Sequence, residues 1–124
     1  MTMAASMRQG LLSVENFRDL EAWRTARSVV CALLDLSAVH SRNSEHDNFA
    51  RSVNRLSIAV LDNIAKGYDE DERFMIEARK AISRLENLLM QGQVAGALTR
   101  SESHPLIREL RHLNQSIAIP SSEI

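Results

Sequence analysis

The stretch FARSVNRLSIAVLDNIAKG, running from Phe49 to Gly67, decides the fold. Phe49, Val53, Leu56, Val60 and Ile64 recur at steps of three and four, the spacing that gathers side chains on one face of an α-helix. From Ser57 to Ala65 the pattern widens. Ile58, Ala59, Leu61 and Ala65 fall outside the main stripe, so apolar side chains wrap much of the circumference. A helix that is apolar nearly all round is buried on more than one side. In a small bundle the second side is a candidate subunit interface, with Ile58, Leu61, Asn63 and Ala65 as its residues. Gly67 stands where a left-handed C-cap glycine belongs, and the helix is expected to end there.

Working outward, the polar run His40 to Asp47 (HSRNSEHD) reads as a turn. Before it, Phe17, Leu20, Trp23, Ala26, Val30, Leu33 and Ser37 share a face, widened by Val29, Leu34 and Leu36. Asn16 is the expected N-cap, so this first helix spans about Asn16 to Val39 and residues 1–13 form a loose leading segment. After Gly67, the acidic run Asp69 to Glu72 supplies carboxylates suited to a positive helix end, with Asp71 as the expected cap. It lacks the spaced oxygen ligands and the glycine of a calcium loop. Phe74, Ala78, Ala81, Leu85 and Leu88, broadened by Met75, Ile82 and Leu89, make a third stripe that Gly92 weakens and Gly96 ends. Ser103 is the expected cap of a fourth helix with Pro105 in its first turn, a stripe of Leu106, Leu110, Leu113 and Ile117, and a stop at Pro120. Residues 120–124 form a tail. Four amphipathic segments with short connectors predict an all-α fold, an antiparallel up-down-up-down four-helix bundle over residues 14–119.

Composition agrees. A chain of 124 residues is one domain, and four Gly with two Pro suit long regular elements. Fifteen basic and sixteen acidic residues leave a net charge of -1, with no global pull toward nucleic acid or acidic lipid. Cys31 is alone, which excludes an intramolecular disulfide and a multi-cysteine metal site; between Val30 and Ala32 it reads as a small buried apolar residue. No segment approaches the length of a membrane span, and no apolar core of signal-peptide length opens the chain, so a cytoplasmic protein without membrane partners is expected.

Three blocks resemble a bacterial family. Phe17-Arg18-Asp19-Leu20-Glu21-Ala22-Trp23, followed by Ala26 and Arg27, is similar to the opening of the four-helix-bundle proteins encoded in intervening sequences of 23S ribosomal RNA genes, which carry an S23-type ribosomal protein label. Asn63-Ile64-Ala65-Lys66-Gly67-Tyr68 resembles that family's Asn-Ile-Ala-Glu-Gly-aromatic run, and Ala78, Ala81, Leu85 and Glu86 fall on its Ala-x-x-Ser-x-x-x-Leu-Glu pattern. The order and spacing match from about Phe17 to Gly96. Departures stand beside the matches: Ala59, Val60, Leu61 and Asp62 replace Ser-Ile-Pro-Ser, Lys66 replaces a Glu, and Arg84 replaces the first Glu of the third block. The resemblance implies a four-helix bundle that assembles as a homopentameric ring, with no established catalytic activity and no cofactor. Distant relatives implied with it, the accessory proteins of diversity-generating retroelements, are basic bundles that bind nucleic acid.

Candidate chemistry is sparse, and no enzyme is expected. Glu109 and His112 form one Glu-x-x-His step, whereas a di-iron bundle needs two such steps and a Glu from each remaining helix. A solvated pair flanking Leu110 accounts for them. His40, His46 and His104 lie in or beside turns without ligand spacing. Arg73, Arg79, Lys80 and Arg84 give the third helix a mildly basic outer side, a candidate RNA or DNA face that copies around a ring would multiply. Against it stand Glu77, Glu86 and the scarcity of aromatics to stack bases. Asn63 either hydrogen-bonds across to a neighbouring helix or subunit, or satisfies its own helix's backbone.

Overall fold

A computed structural model describes residues 17–117. They form α1 (Phe17–His40), α2 (Asp47–Asp69), α3 (Phe74–Val94) and α4 (Arg100–Ser116), with a 3₁₀ turn at Ser44–His46 leading into α2. Among the described residues there is no strand. The leading segment, the Asn16 cap, the Pro120 stop and the tail lie outside the described residues. Each helix packs chiefly on two others: α1 and α3 both contact α2 and α4. Three polar pairs between α3 and α4 give their sense, because Arg79, Glu86 and Gln93 meet Asn114, Arg111 and Ser103 in turn. The partners descend along α4 as they ascend along α3.

The predicted stripes close on one core. Val30 and Leu33 of α1, Val53, Val60 and Ile64 of α2, Ile82, Leu85 and Leu89 of α3, and Leu110 and Leu113 of α4 are all fully buried. Small residues set the spacing: Ala26 and Ala78 are also fully enclosed, and a methyl side chain lets two helices approach closely without loss of helix propensity. Removing a large side chain such as Leu85 from such a core costs about 2–5 kcal/mol through lost transfer energy and the cavity left behind.

Several local expectations are overturned. Gly67 does not end α2, which runs on to Asp69, and the one positive-φ glycine among the described residues is Gly96. Gly67 is instead a point of close approach: a Cβ there would sit 2.7–2.9 Å from the side chain of Met75, which would have to shift. Gly92 likewise is buried, with Phe49 ring atoms 2.7 and 2.9 Å from where its Cβ would be. Gly96, at φ 86, does end α3. Ala97 N–H reaches back to the Gly92 carbonyl at 2.8 Å and Gly96 N–H to Gln93 at 3.2 Å, the paired bonds that satisfy the last carbonyls of a helix.

Asp71 does not cap α3. Its Oδ1 accepts the Arg73 N–H at 2.9 Å, closing a turn two residues too early, and Arg73 takes the N-cap position without a side-chain cap bond. Ser103 does not cap α4 either. Thr99 does, in a reciprocal capping box with Glu102, and the Thr-Arg-Ser-Glu run that encodes it was readable. Ser103 lies a turn further in, fully buried, donating to Gln93 Oε1 at 2.7 Å. Pro105 is therefore the sixth helical residue, where its ring removes one backbone bond close to the helix start. Cys31 is exposed, contrary to its apolar flanks.

Candidate functional site

On the outer side of α3 the chain builds an open groove of about 510 Å³ lined by Ile76, Arg79, Lys80, Ser83, Arg84, Asn87 and Asn114. The six α3 residues are spaced by threes and fours over three turns, so the helix alone aligns them; Asn114 enters from α4. Three of the four predicted basic residues therefore share one site. Arg73 does not join them. It precedes α3 and pairs with Asp71, its guanidinium nitrogen 2.8 Å from Oδ2. The Arg73 side chain and backbone hydrogen bonds hold the Asp71 carboxyl below its ordinary value.

The groove cations differ in freedom. Arg79 Nε donates to Asn114 Oδ1 at 2.9 Å and is half-buried. Lys80 pairs with Glu77 at 3.2 Å, an exposed contact worth a fraction of a kcal/mol. Arg84 is exposed and makes no ion pair or side-chain hydrogen bond among the described residues. The nearby Glu86 is taken up by α4: its carboxylate, 14% exposed, accepts from Arg111 Nε at 2.9 Å.

The α2 residues separate. At about 100° per residue, Ile58, Leu61 and Ala65 fall within about 60° of one another, whereas Asn63 lies about 160° from Ala65. Ile58 is 54% exposed, and Leu61 and Ala65 are half-buried. The apolar wrap is thus only partly outward: Ala59 and Leu61 pack on the margin of the core, and the exposed face around Ile58 also carries Arg51, Asn54, Arg55 and Asp62. Asn63 Nδ2 donates to the Ala59 carbonyl at 2.9 Å, so its amide serves its own helix.

Glu109 and His112 are both exposed, and among the described residues no three His, Cys, Asp or Glu side chains converge as metal ligands. Sequence reasoning missed one cluster. The His40 and His46 rings lie 5.7 Å apart at one end of the bundle, His40 also meets Phe49 edge-on at 6.2 Å, and Glu102 Oε2 is 3.6 Å from His40 Nε2. The 3₁₀ turn sets the two rings side by side and packing of α4 brings Glu102 to them, and no spacing rule signals either. No described helix is long and apolar enough to cross a membrane.

Fold and site define an all-α four-helix protein with a basic groove on one outer face. Comparison with family models, characterised proteins and solved structures gives no match. The likeness to the 23S intervening-sequence family therefore stands on its own residues. Of those, Ala22, Ala26, Ile64, Ala78, Ala81 and Leu85 are buried, which ties that part of the resemblance to packing.

Proposed function

We propose that this protein is a non-enzymatic assembly or adaptor module: a helical bundle that forms a homo-oligomeric ring, pentameric by its family resemblance. The observation that carries the reading is the exposed Ile58 on α2, 54% exposed beside half-buried Leu61 and Ala65 on the same side of the helix. Burying the rest of Ile58 contributes about 1 kcal/mol per copy, while association costs about 4–15 kcal/mol. Ile58 is thus an anchor within a wider interface. Sedimentation of Ile58→Glu against the parent chain tests this. A lighter particle with unchanged helix content is expected, and identical sedimentation would count against the interface.

A second reading, an accessory factor for RNA or DNA, is favoured by one specific observation: Arg79, Lys80 and Arg84 line a single open groove. Its test is the salt dependence of binding to mixed RNA and DNA, because displaced counterions make phosphate binding fall steeply with salt. A flat dependence would remove this reading.

A further inference from the structure

We propose that the α3–α4 groove is a site for phosphate-class oxyanions, taking a short linear run of phosphates by charge and hydrogen bonding without reading a base. The proposal rests on the same basic face as the nucleic-acid reading, but it does not require nucleic acid to be the ligand.

Segregation of charge comes first. The chain as a whole is balanced, with fifteen basic and sixteen acidic residues. The groove lining holds three cations, three neutral hydrogen-bonding side chains and no carboxylate. Of the acids on the neighbouring turns, Glu86 is taken up by Arg111, which is not part of the lining, and Glu77 pairs with Lys80, so Arg79 and Arg84 are the two lining cations without a carboxylate partner among the described residues.

Pre-organisation comes second. Asn114 takes the Nε–H of Arg79 at 2.9 Å, which fixes the plane of the guanidinium and leaves its two terminal nitrogens for a ligand. A fork held in place loses less freedom when it binds an oxyanion. Arg84 lies five residues on, about 7.5 Å along the helix axis and about 140° around it, with no competing partner among the described residues. Both line the one open groove, and forks that diverge by that much are bridged by a run of two or three phosphates, whereas one isolated ion reaches one of them. Ser83 and Asn87 supply neutral donors on the same face.

Selectivity against bases comes third. Ile76 is the one apolar side chain in the lining, and no aromatic is there. Binding to bases in the absence of sequence recognition relies on aromatic stacking. The recognised element is therefore the phosphate run itself, whether it belongs to a free phosphate chain or to the backbone of a single strand.

Calorimetric titration of the full chain with inorganic tripolyphosphate at low salt is the test, with a short oligothymidylate titrated in parallel. Saturable tripolyphosphate binding is expected, weakened about tenfold by Arg84→Gln and by Arg79→Gln. Arg27→Gln, which removes an exposed arginine from α1, should leave it unchanged, and orthophosphate should bind more weakly. No saturable heat, or an equal loss with Arg27→Gln, overturns the proposal. Tripolyphosphate binding without oligothymidylate binding supports the groove and removes the nucleic-acid reading. Oligothymidylate binding that is indifferent to Arg84→Gln, with no tripolyphosphate heat, overturns the groove and leaves a nucleic-acid surface elsewhere.

Discussion

Replacing Ser57 with Ala is expected to stabilise the protein, and replacing Ser37 with Ala to destabilise it. Both serines are buried in helices of the same bundle, so the opposite signs must come from the hydroxyls. Ser57 Oγ is fully buried and has no hydrogen-bond partner. A buried hydroxyl without a partner costs about 1–3 kcal/mol, and Ala gains about half a kcal/mol in helix propensity. The oxygen-sized gap left behind takes back a few tenths of a kcal/mol, roughly 24 cal/mol per Å³. The net gain is about 1–3 kcal/mol. With an unfolding entropy of about 2.1 cal/mol/K per residue and 124 residues, each kcal/mol moves Tm by about 4 °C, so Ser57→Ala should melt about 4–12 °C higher. Ser37 Oγ instead donates to the Ala50 carbonyl at 2.8 Å, joining α1 to the first turn of α2. Losing that bond costs about 1 kcal/mol and the propensity gain returns part of it, so Ser37→Ala should melt about 2–4 °C lower. Differential scanning calorimetry of the two variants decides the matter. A fall in Tm for Ser57→Ala comparable to that for Ser37→Ala would refute the reasoning.

Other consequences are equally direct. Thr99→Ala removes the α4 cap and should lower stability by about 1 kcal/mol in urea unfolding; no change would mean that the capping box contributes nothing. The Thr99 backbone N–H, then its hydroxyl, with a smaller contribution from His40, hold the Glu102 carboxyl below its ordinary 4.5. The unfolded chain therefore binds that proton more readily, so this contribution is intact above pH 4.5 and is lost as pH falls below it. Glu102→Gln should flatten that part of the stability–pH curve, and an unaltered acid slope would contradict the assignment. Gly92→Val places branched carbon where Phe49 ring atoms already lie within 3 Å of a Cβ and should destabilise by about 1–3 kcal/mol, read by chemical denaturation. Exposed Cys31 should react with a thiol reagent in the folded protein as readily as after unfolding, and protection in the folded state would show that this face is covered.

The helices were legible because burial follows period. The stripe Val53, Val60, Ile64 and its counterparts on α1, α3 and α4 needed nothing but spacing to find. Errors gathered where a residue type serves two purposes. Gly67 looks like a terminator, but it is a point of close approach, and only the position of Met75 tells the two apart. Asp71 and Ser103 are good caps by type; the N-cap falls two residues after the first and four residues before the second. Cys31 was misplaced because its neighbours are apolar, although a helix rotates consecutive residues by about 100° and so makes neighbours a poor guide to burial. The basic residues were readable as a list. Their division was not, because Arg73 pairs before α3 begins, while Asn114, which orients Arg79, lies thirty-five residues away in sequence. The Ile58 strip was found by its excess of apolar residues, but its separation from Asn63 follows from helix geometry that a list of apolar and polar positions conceals.

On the function proposed above, this bundle works as an assembly of its own copies. The molar mass of the purified full-length protein by size-exclusion chromatography with light scattering tests it most directly. A multiple of the 13.9 kDa chain is expected, about 70 kDa for five copies. A single species at 13.9 kDa, unchanged up to the highest concentration loaded, would contradict it.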